Sequence, residues 1–589
     1  MFRLISLPLL ASSLASAQLT PSPAYSPPAA ANGVAASNAT YSQWATVLGN
    51  SLWFYDAQRS GSLEAGTYGN RVSWRNDSAL QDGSDWNLDL TGGWYDAGDY
   101  IKATFPLTFT LHAISWGALT HGKGYGEASQ TAYLDGTLRW GFDWLIKAHP
   151  QDDVLFAQVG SSVVDNAYWG GDQDIPDPRP AYPCNSSSPG TDLLASASAA
   201  FSIASMLYST NATYLPTSSS SPPTSPSLSN ATYSALLLSH ATSLYLAANS
   251  TTPYSTFSDS IPAVASAYSS SSYADDLTLA ALSLALATDD SSYYTDAYNS
   301  YVTNAITSKQ SVWNWDSKYP AIYVMFAEAS VARPNLAQGA GLDVNVTGWQ
   351  TECENYFDAI VDEKLKRGAL TKGGLLYYSG DSDEASLNPA MAAATLMLKY
   401  APLASSSTKT ETYNSYARDQ IDYMLGNNPM SAVYLVGSHP NSPQNPYSGL
   451  ASGGNDITDI RNSPPTEAHV LYGAMVGGPS QSDKFWDYRD DWVECEVALD
   501  YNAMVPTIAS MMLLNSSSDP YYTTLQAGTY TVPSGQPCDA ALPCSSSGLS
   551  KGDIAGIVIG VVVGVLLIAA ALIWWRRDHI RRWWQRGYM

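Results

Sequence analysis

Two carboxylates stand three residues apart in Gly92-Gly93-Trp94-Tyr95-Asp96-Ala97-Gly98-Asp99-Tyr100-Ile101-Lys102, with only small residues between them. On a turn such a pair can face one point and orient a single water, one carboxylate acting as base and the other as its positioning partner. The same spacing suits a helix cap or a calcium-binding turn, and the segment alone leaves these readings open. A second acidic segment runs from Phe485 to Ala503 and reads FWDYRDDWVECEVALDYNA. Glu496 is followed there by Val497, Ala498 and Leu499. Against apolar surface, desolvation raises a carboxyl pKa and keeps the group protonated, the state a general acid requires. Asp500 follows four residues on, and Asn502 is placed to hydrogen-bond a neighbouring carboxyl. An acidic helix surface would show the same residues. The third segment, Gly437 to Pro446 (GSHPNSPQNP), is too rich in Pro and polar groups for a core, and reads as a binding loop or a Pro-stiffened connection.

These segments need a large scaffold, and the chain provides one. Of its 589 residues 45 % are hydrophobic, which excludes wholesale disorder, while only 14 % are charged. The surface must therefore be covered by Ser, Thr, Asn, Tyr and Gly, or by sugars. A net charge of −24 repels phosphate backbones and argues against a nucleic-acid partner. Helical periodicity prevails over strand alternation along the main body, residues 38–516. Leu134, Leu138, Phe142 and Leu145 form one apolar stripe; Leu279, Leu282 and Leu286 form another. Asn388-Pro389 reads as the N-cap and first position of a helix through Leu398. Helix after helix separated by long loops predicts an all-α barrel or bundle with its site in the loops at one end. Residues 216–229 read as a Ser/Pro-rich surface insertion.

The ends of the chain address the compartment. Residues 1–17 have the basic start, apolar stretch and small-residue end of a secretory signal peptide, followed by a Pro/Ala/Ser-rich arm over 18–37. Residues 554–575 are uncharged and long enough to span a bilayer as one helix, and the Arg-rich tail 576–589 places that tail in the cytoplasm. Residues 517–553 form a stem. The expectation is a single-pass type I plasma-membrane protein with its main body extracellular. Eight sequons, at Asn38, Asn76, Asn185, Asn211, Asn230, Asn249, Asn345 and Asn515, fit N-linked glycans. The five cysteines permit at most two internal disulfides, with Cys538 and Cys544 placed for a small loop. Scattered His and Cys give a zinc site no footing, and no metal or cofactor is expected.

The first segment, continued by Phe105-Pro106-Leu107 and Ser115-Trp116, resembles the catalytic-base segment of glycoside hydrolase family 9. The second resembles that family's acid signature through Phe485, Asp487, Trp492, Glu496, Ala498, Asn502 and Ala503. The stretches at Gln158-Val159-Gly160, Trp315-Asp316-Ser317-Lys318, 373–377, 423–429 and 470–479 are similar as well, and the third segment resembles that of fungal-type members. The resemblance implies an (α/α)6 barrel and inverting, internal hydrolysis of β-1,4-glucan such as cellulose, without a cofactor. It also implies Asp99 as general base with Asp96 as its partner, Glu496 as general acid, and Asp487 as the second acidic catalytic position. Trp169, Tyr501, Tyr447 and Arg489 are implied as substrate-binding. The chain departs from the family at Asn166, Tyr447 and Gly449, where His, His and Arg are usual. The other readings are a glucan-binding protein that has lost catalysis and a hydrolase of the same fold that acts from chain ends, or on chitosan or mixed-linkage glucan.

Overall fold

The structure, a computed structural model, describes residues 19–22, 24–29, 42–63, 70–209 and 228–544. Among the described residues, twelve helices have 12 residues or more. They are α1 (Ser42–Ala57), α2 (Thr104–Glu127), α3 (Thr131–Ala148), α4 (Thr191–Tyr208), α5 (Ala231–Ser250) and α6 (Ala274–Thr288), followed by α7 (Ser291–Thr303), α8 (Tyr319–Ala332), α9 (Val346–Val361), α10 (Leu387–Tyr400), α11 (Ser407–Met424) and α12 (Met504–Asn515). The even-numbered helices are apolar nearly all round. All 18 residues of α4 are buried, and α6 is built on Ala and Leu, which pack tightly and favour helix. The odd-numbered helices α5, α7, α9 and α11 keep a polar outer face, α11 burying only Tyr413, Ala417, Gln420, Ile421, Tyr423 and Met424, whereas α1 and α3 are covered on most sides.

Packing runs α2–α4–α6–α8–α10–α12 and returns from α12 to α2, so the inner ring closes. The outer helices α3, α5, α7, α9 and α11 each pack on the inner helix before them in the chain, and α1 packs on α12. This is the expected (α/α)6 barrel. The Leu134–Leu145 and Leu279–Leu286 stripes lie buried on α3 and α6. Side-chain caps fix several starts: Asn230 accepts from Tyr233 N at 3.0 Å and Asn345 from Gly348 N at 3.0 Å. A three-stranded antiparallel sheet, β1 (Lys102–Ala103), β2 (Leu155–Val159) and β3 (Ala181–Cys184), pairs Lys102 with Val159 and Leu155 with Cys184.

Three sequence expectations are revised and one is kept. Helix α10 begins at Leu387 after Ser386, and Asn388 reaches instead to Asp500 O at 3.2 Å, a buried contact with more to offer its amide than the helix end. The body runs past residue 516 into the expected stem, for Trp44 Nε1 donates to Ser518 O at 2.9 Å and Tyr530 OH to Phe485 O at 3.1 Å. The described part of the N-terminal arm, residues 19–22 and 24–29, is extended as expected and tied to the barrel: Tyr25 N donates to Tyr133 OH at 2.6 Å, and Tyr25 OH to Thr46 O at 3.2 Å. The third segment is largely buried, because Asn441 and Asp487 satisfy its neighbouring backbone.

Two compact units divide the chain, Met1–Ser534 and Gly535–Met589. In the second, Cys538 and Cys544 form the expected disulfide; Cys184, Cys353 and Cys495, in the first, are buried free thiols. The signal peptide, most of the 216–229 insertion, the 554–575 span and the 576–589 tail lie outside the described residues. No helix among the described residues is long and apolar enough to cross a membrane.

Candidate active site

Because inner and outer helices alternate along the chain, all six inner helices start at the same end of the barrel, and the segments leading into them meet there. Residues 92–103 lead into α2, 160–190 into α4, 261–273 into α6, 311–318 into α8, 379–386 into α10 and 485–503 into α12. The three segments singled out in the sequence are joined by backbone hydrogen bonds. Asp96 and Asp99 lie on a turn closed by Asp96 N donating to Ile101 O at 2.9 Å. Leu499 N donates to Asp96 O at 2.8 Å, Tyr447 N to Cys495 O at 2.8 Å, and Gly449 N to Gly98 O at 2.9 Å. Gly98 is required at this crossing, since a Cβ there would stand 1.8 Å from Tyr447 O. Neither aspartate caps a helix.

Glu496 is not on an acidic helix surface. The short helix Trp492–Cys495, capped by Asp491, ends before it, and Glu496 is extended at φ −63°, ψ 151°. Tyr501 OH donates to Glu496 Oε2 at 3.3 Å. Burial pushes the Glu496 carboxyl up to about 8, with Asp96 adding to the rise, the Tyr501 bond opposing it and Glu384 adding a little more. Burial likewise lifts Asp96 and Asp99 well above the usual carboxylate range; for Asp99 the neighbouring Asp165, Asp96 and Glu496 raise it further. Asp500 is pushed up to about 7 by burial and by Glu496. Carboxyls packed this closely cannot all ionise, so several hold protons at neutral pH. Asp96 Oδ2 accepts from Tyr268 OH at 2.5 Å. Asp96 Oδ1 and Asp99 Oδ1 are buried and have no hydrogen-bond donor.

The substrate-binding expectations fare unevenly. Tyr501 and Tyr447 are partly exposed at the site. Trp169 is only 4 % exposed; its ring lies edge-on to Tyr447 at 4.9 Å, with Gly454 close to its indole nitrogen, so little face is left for a sugar. Arg489 is 1 % exposed. Its Nη1 donates to Ile460 O at 3.0 Å and Pro464 O at 2.8 Å, and its Nε pairs with Glu467, so it pins the loop that covers Trp169. Asp487, with left-handed φ of 52°, accepts from Gln444 N at 2.8 Å and Asn445 N at 3.0 Å; it holds the loop that carries Tyr447. Asn502 binds Met475 N at 2.6 Å and backbone carbonyls rather than a carboxyl. Two residues at the site had no role in the sequence reading. Tyr268 lies in a featureless Ser-rich run, whereas Asp165 opens the Asp165–Trp169 segment, where a second carboxylate near Trp169 was a usable signal.

The model of the family described as glycosyl hydrolase family 9 matches residues 44–509. Endoglucanase A of Bacillus pumilus is 33 % identical over 478 residues, which make up 80 % of this chain and 66 % of that protein. The chain thus spans about two thirds of that relative's length. Among solved structures, an endoglucanase of the termite Nasutitermes takasagoensis is 33 % identical, with a TM-score of 0.69 over 81 % of this chain and 99 % of that one. The cellulase Cel9M of C. cellulolyticum, in complex with cellobiose, is 27 % identical, with a TM-score of 0.67 over 80 % and 98 % of the two chains. A family match that takes in both acidic segments and all of the twelve-helix barrel but the first two residues of α1 and the last six of α12 leaves one conclusion: the chain belongs to glycosyl hydrolase family 9.

Proposed function

We propose that this protein is an endo-β-1,4-glucanase that cleaves internal bonds of cellulose or a related glucan with inversion, and that a C-terminal helix anchors it at the plasma membrane with the barrel outside. The observation that carries the reading is a buried carboxyl raised to about 8, Glu496, gathered with two buried carboxyls whose Oδ1 atoms lack donors. A water has two O–H groups and could satisfy both Asp96 Oδ1 and Asp99 Oδ1. Asp99 then takes a proton from the water as its oxygen attacks the anomeric carbon, and Asp96, fixed by Tyr268, keeps the water aimed. Glu496 gives its proton to the departing glycosidic oxygen, its elevated pKa keeping that proton available at neutral pH. Room for a water between sugar and base is what separates inverting from retaining carboxyl pairs. The endoglucanase and cellulase names of the relatives support the substrate class. The uncharged 554–575 stretch, its Arg-rich tail and the eight sequons support the anchor, the outside location and N-linked glycans.

Proton NMR of fresh product tests the mechanism: a β-linked glucan must first release the α-anomer, and an initial β-anomer refutes the assignment. Viscosity loss ahead of reducing-end release tests internal cleavage. A chain ended at Gly548 should leave the membrane fraction and keep its activity; retention in the membrane would refute the anchor.

A further inference from the structure

We propose that the general base is a pair of carboxyls, Asp99 and Asp165, that holds one proton between them, with Asp165 as the final acceptor in a proton relay. The inference rests on the reading of Asp99 as base and extends it to a positioning residue from another segment.

Asp165 ends the short helix Ser162–Asp165 and is 5 % exposed. Both its oxygens stand 3.2 Å from Tyr100 N, the amide directly after Asp99, so it is locked to the base by the backbone. Its carboxyl lies close enough to that of Asp99 for each to perturb the other's protonation. Two ionised carboxylates repel and neither can donate, so this contact requires a proton. The surroundings decide where the negative charge rests. Asp165 accepts from the Tyr100 and Ile101 amides and lies near Arg179, which favour its charge. Arg179 is itself anchored, with Nη1 donating to Tyr100 O at 2.9 Å and Nε pairing with Asp82 at 2.8 Å. Asp99 faces Asp96 and Glu496, which disfavour its charge, and Tyr447 borders both members of the pair. In the resting pair the proton therefore sits on Asp99 and the charge on Asp165.

A protonated Asp99 can accept a proton only by passing one on. As the water oxygen bonds to the anomeric carbon and the glycosidic C–O bond breaks, the water proton goes to Asp99 and the proton Asp99 held goes to Asp165. Glu496 protonates the leaving oxygen. The pair goes from one proton to two and from one negative charge to none, while Glu496 becomes an anion. Passage of one proton from the pair to Glu496 through solvent resets the site.

The test measures kcat and KM against pH on a soluble β-1,4-glucan for the full chain and for Asp165→Asn, Asp165→Glu and Asp99→Asn. An Asn amide keeps a carbonyl for Tyr100 N and offers an N–H to Asp99, but cannot take a proton. Asp165→Asn should lower kcat about 10- to 100-fold with KM little changed, and move the acidic limb of kcat up by about one pH unit, because the lone Asp99 lacks the amides and the guanidinium that favour charge on Asp165 and is protonated more readily. Asp165→Glu should recover most of kcat and the original limb. An unchanged kcat, or a lower kcat with the limb unmoved, overturns the pair and leaves Asp165 a structural residue at most. If Asp165→Asn does not fold, infrared spectra decide: Asp99→Asn should lose one protonated-carboxyl C=O band at neutral pH, and loss of none overturns the proposal. Activity retained by Asp99→Asn would instead sink the underlying base assignment, a result distinct from an inactive Asp99→Asn beside an unmoved Asp165→Asn limb.

Discussion

Replacing Glu496 by Gln should inactivate the enzyme on cellulose and at the same time stabilise it, by an amount that depends on pH in a defined way. Burial and Asp96 raise the carboxyl from 4.5 to about 8 on folding. Below pH 4.5 the group is neutral in both folded and unfolded chains, and the site costs nothing through this residue. As pH rises from there toward 8, the unfolded chain ionises freely while the folded one must keep its proton. Stability is therefore lost across that window, at about 1.4 kcal/mol per pH unit. At pH 7 the accumulated cost is about 3 kcal/mol, and at pH 5 about 1 kcal/mol or less. Gln has nearly the same shape, accepts the Tyr501 hydroxyl through its carbonyl oxygen, and never ionises, so it removes the cost. Urea unfolding of wild type and Glu496→Gln in detergent at pH 5, 7 and 8 reads the difference directly. The gap should widen with pH, to the advantage of Gln. A variant less stable than wild type at pH 8, or a gap of the same size at pH 5 and pH 8, would show that desolvation is not what holds the proton on Glu496. Activity on substrates with good leaving groups should survive in part.

Tyr268→Phe removes the hydroxyl that favours ionised Asp96, so Asp96 becomes easier to protonate. The acidic limb of the rate should move to higher pH with kcat down about 10- to 100-fold, the usual scale for a hydrogen bond to a charged group; an unmoved limb counts against Asp96 as the partner on the water. Asp487→Asn keeps an acceptor oxygen for one of the Gln444 and Asn445 N–H donors and presents amide hydrogens to the other; it should cost about 1–3 kcal/mol in urea unfolding and lower kcat through the loop that carries Tyr447, whereas unchanged kinetics would make that loop irrelevant to the site. Arg489→Ala leaves Glu467 buried without its ion pair and should destabilise by about 3–5 kcal/mol. In the fraction that folds, freeing the loop over Trp169 should lengthen the shortest oligosaccharide products; an identical product ladder would show that the loop does not bound the cleft.

What the sequence disclosed depended on whether a residue acts through its own type or through the path of the chain. An outer helix such as α11 meets solvent on one face and buries the other; the stripes Leu134–Leu145 on outer α3 and Leu279–Leu286 on inner α6 mark helices without marking the ring each belongs to. Inner α4 is buried on every side and carries no stripe to read, so helix content was legible but the division into two rings was not. Asp96, Asp99 and Glu496 were legible because their flanking residues are small or apolar, which is the local cause of their desolvation. The partners of Arg489 were not legible, for a related reason. An arginine in an acidic, aromatic segment suits a sugar hydroxyl as well as a carbonyl cage, and only the fold reveals that Ile460 and Pro464 point their carbonyls at it. Asn502 failed likewise, for a backbone partner such as Met475 leaves no trace in a side-chain pattern. Tyr268 reaches Asp96 across 172 positions from a stretch of serines, and no local rule could have drawn it out.

The same distance explains why the barrel is needed for the chemistry. An acid that must be neutral and a base that must accept a proton have opposite needs, and adjacent residues share one environment. Here Glu496 and Asp99 enter from the two segments that precede α12 and α2, neighbours across the closure of the inner ring. Each can then be given its own surroundings. Glu496 meets apolar neighbours, Asp96 and a single tyrosine hydroxyl, and keeps its proton. The base side has two backbone amides and a nearby guanidinium behind Asp165, where negative charge can rest. The backbone bonds through Asp96 O, Gly98 O and Cys495 O keep these two environments in register without spending a side chain on it. On this view the glycine at position 98 matters to catalysis as much as the carboxylates. Gly98→Ala would drive a methyl group into Tyr447 O, spread the base turn from the acid segment, and should abolish turnover while the helical circular dichroism of the barrel stays unchanged. Full activity in that variant would mean that the stitching between the segments is incidental to the reaction.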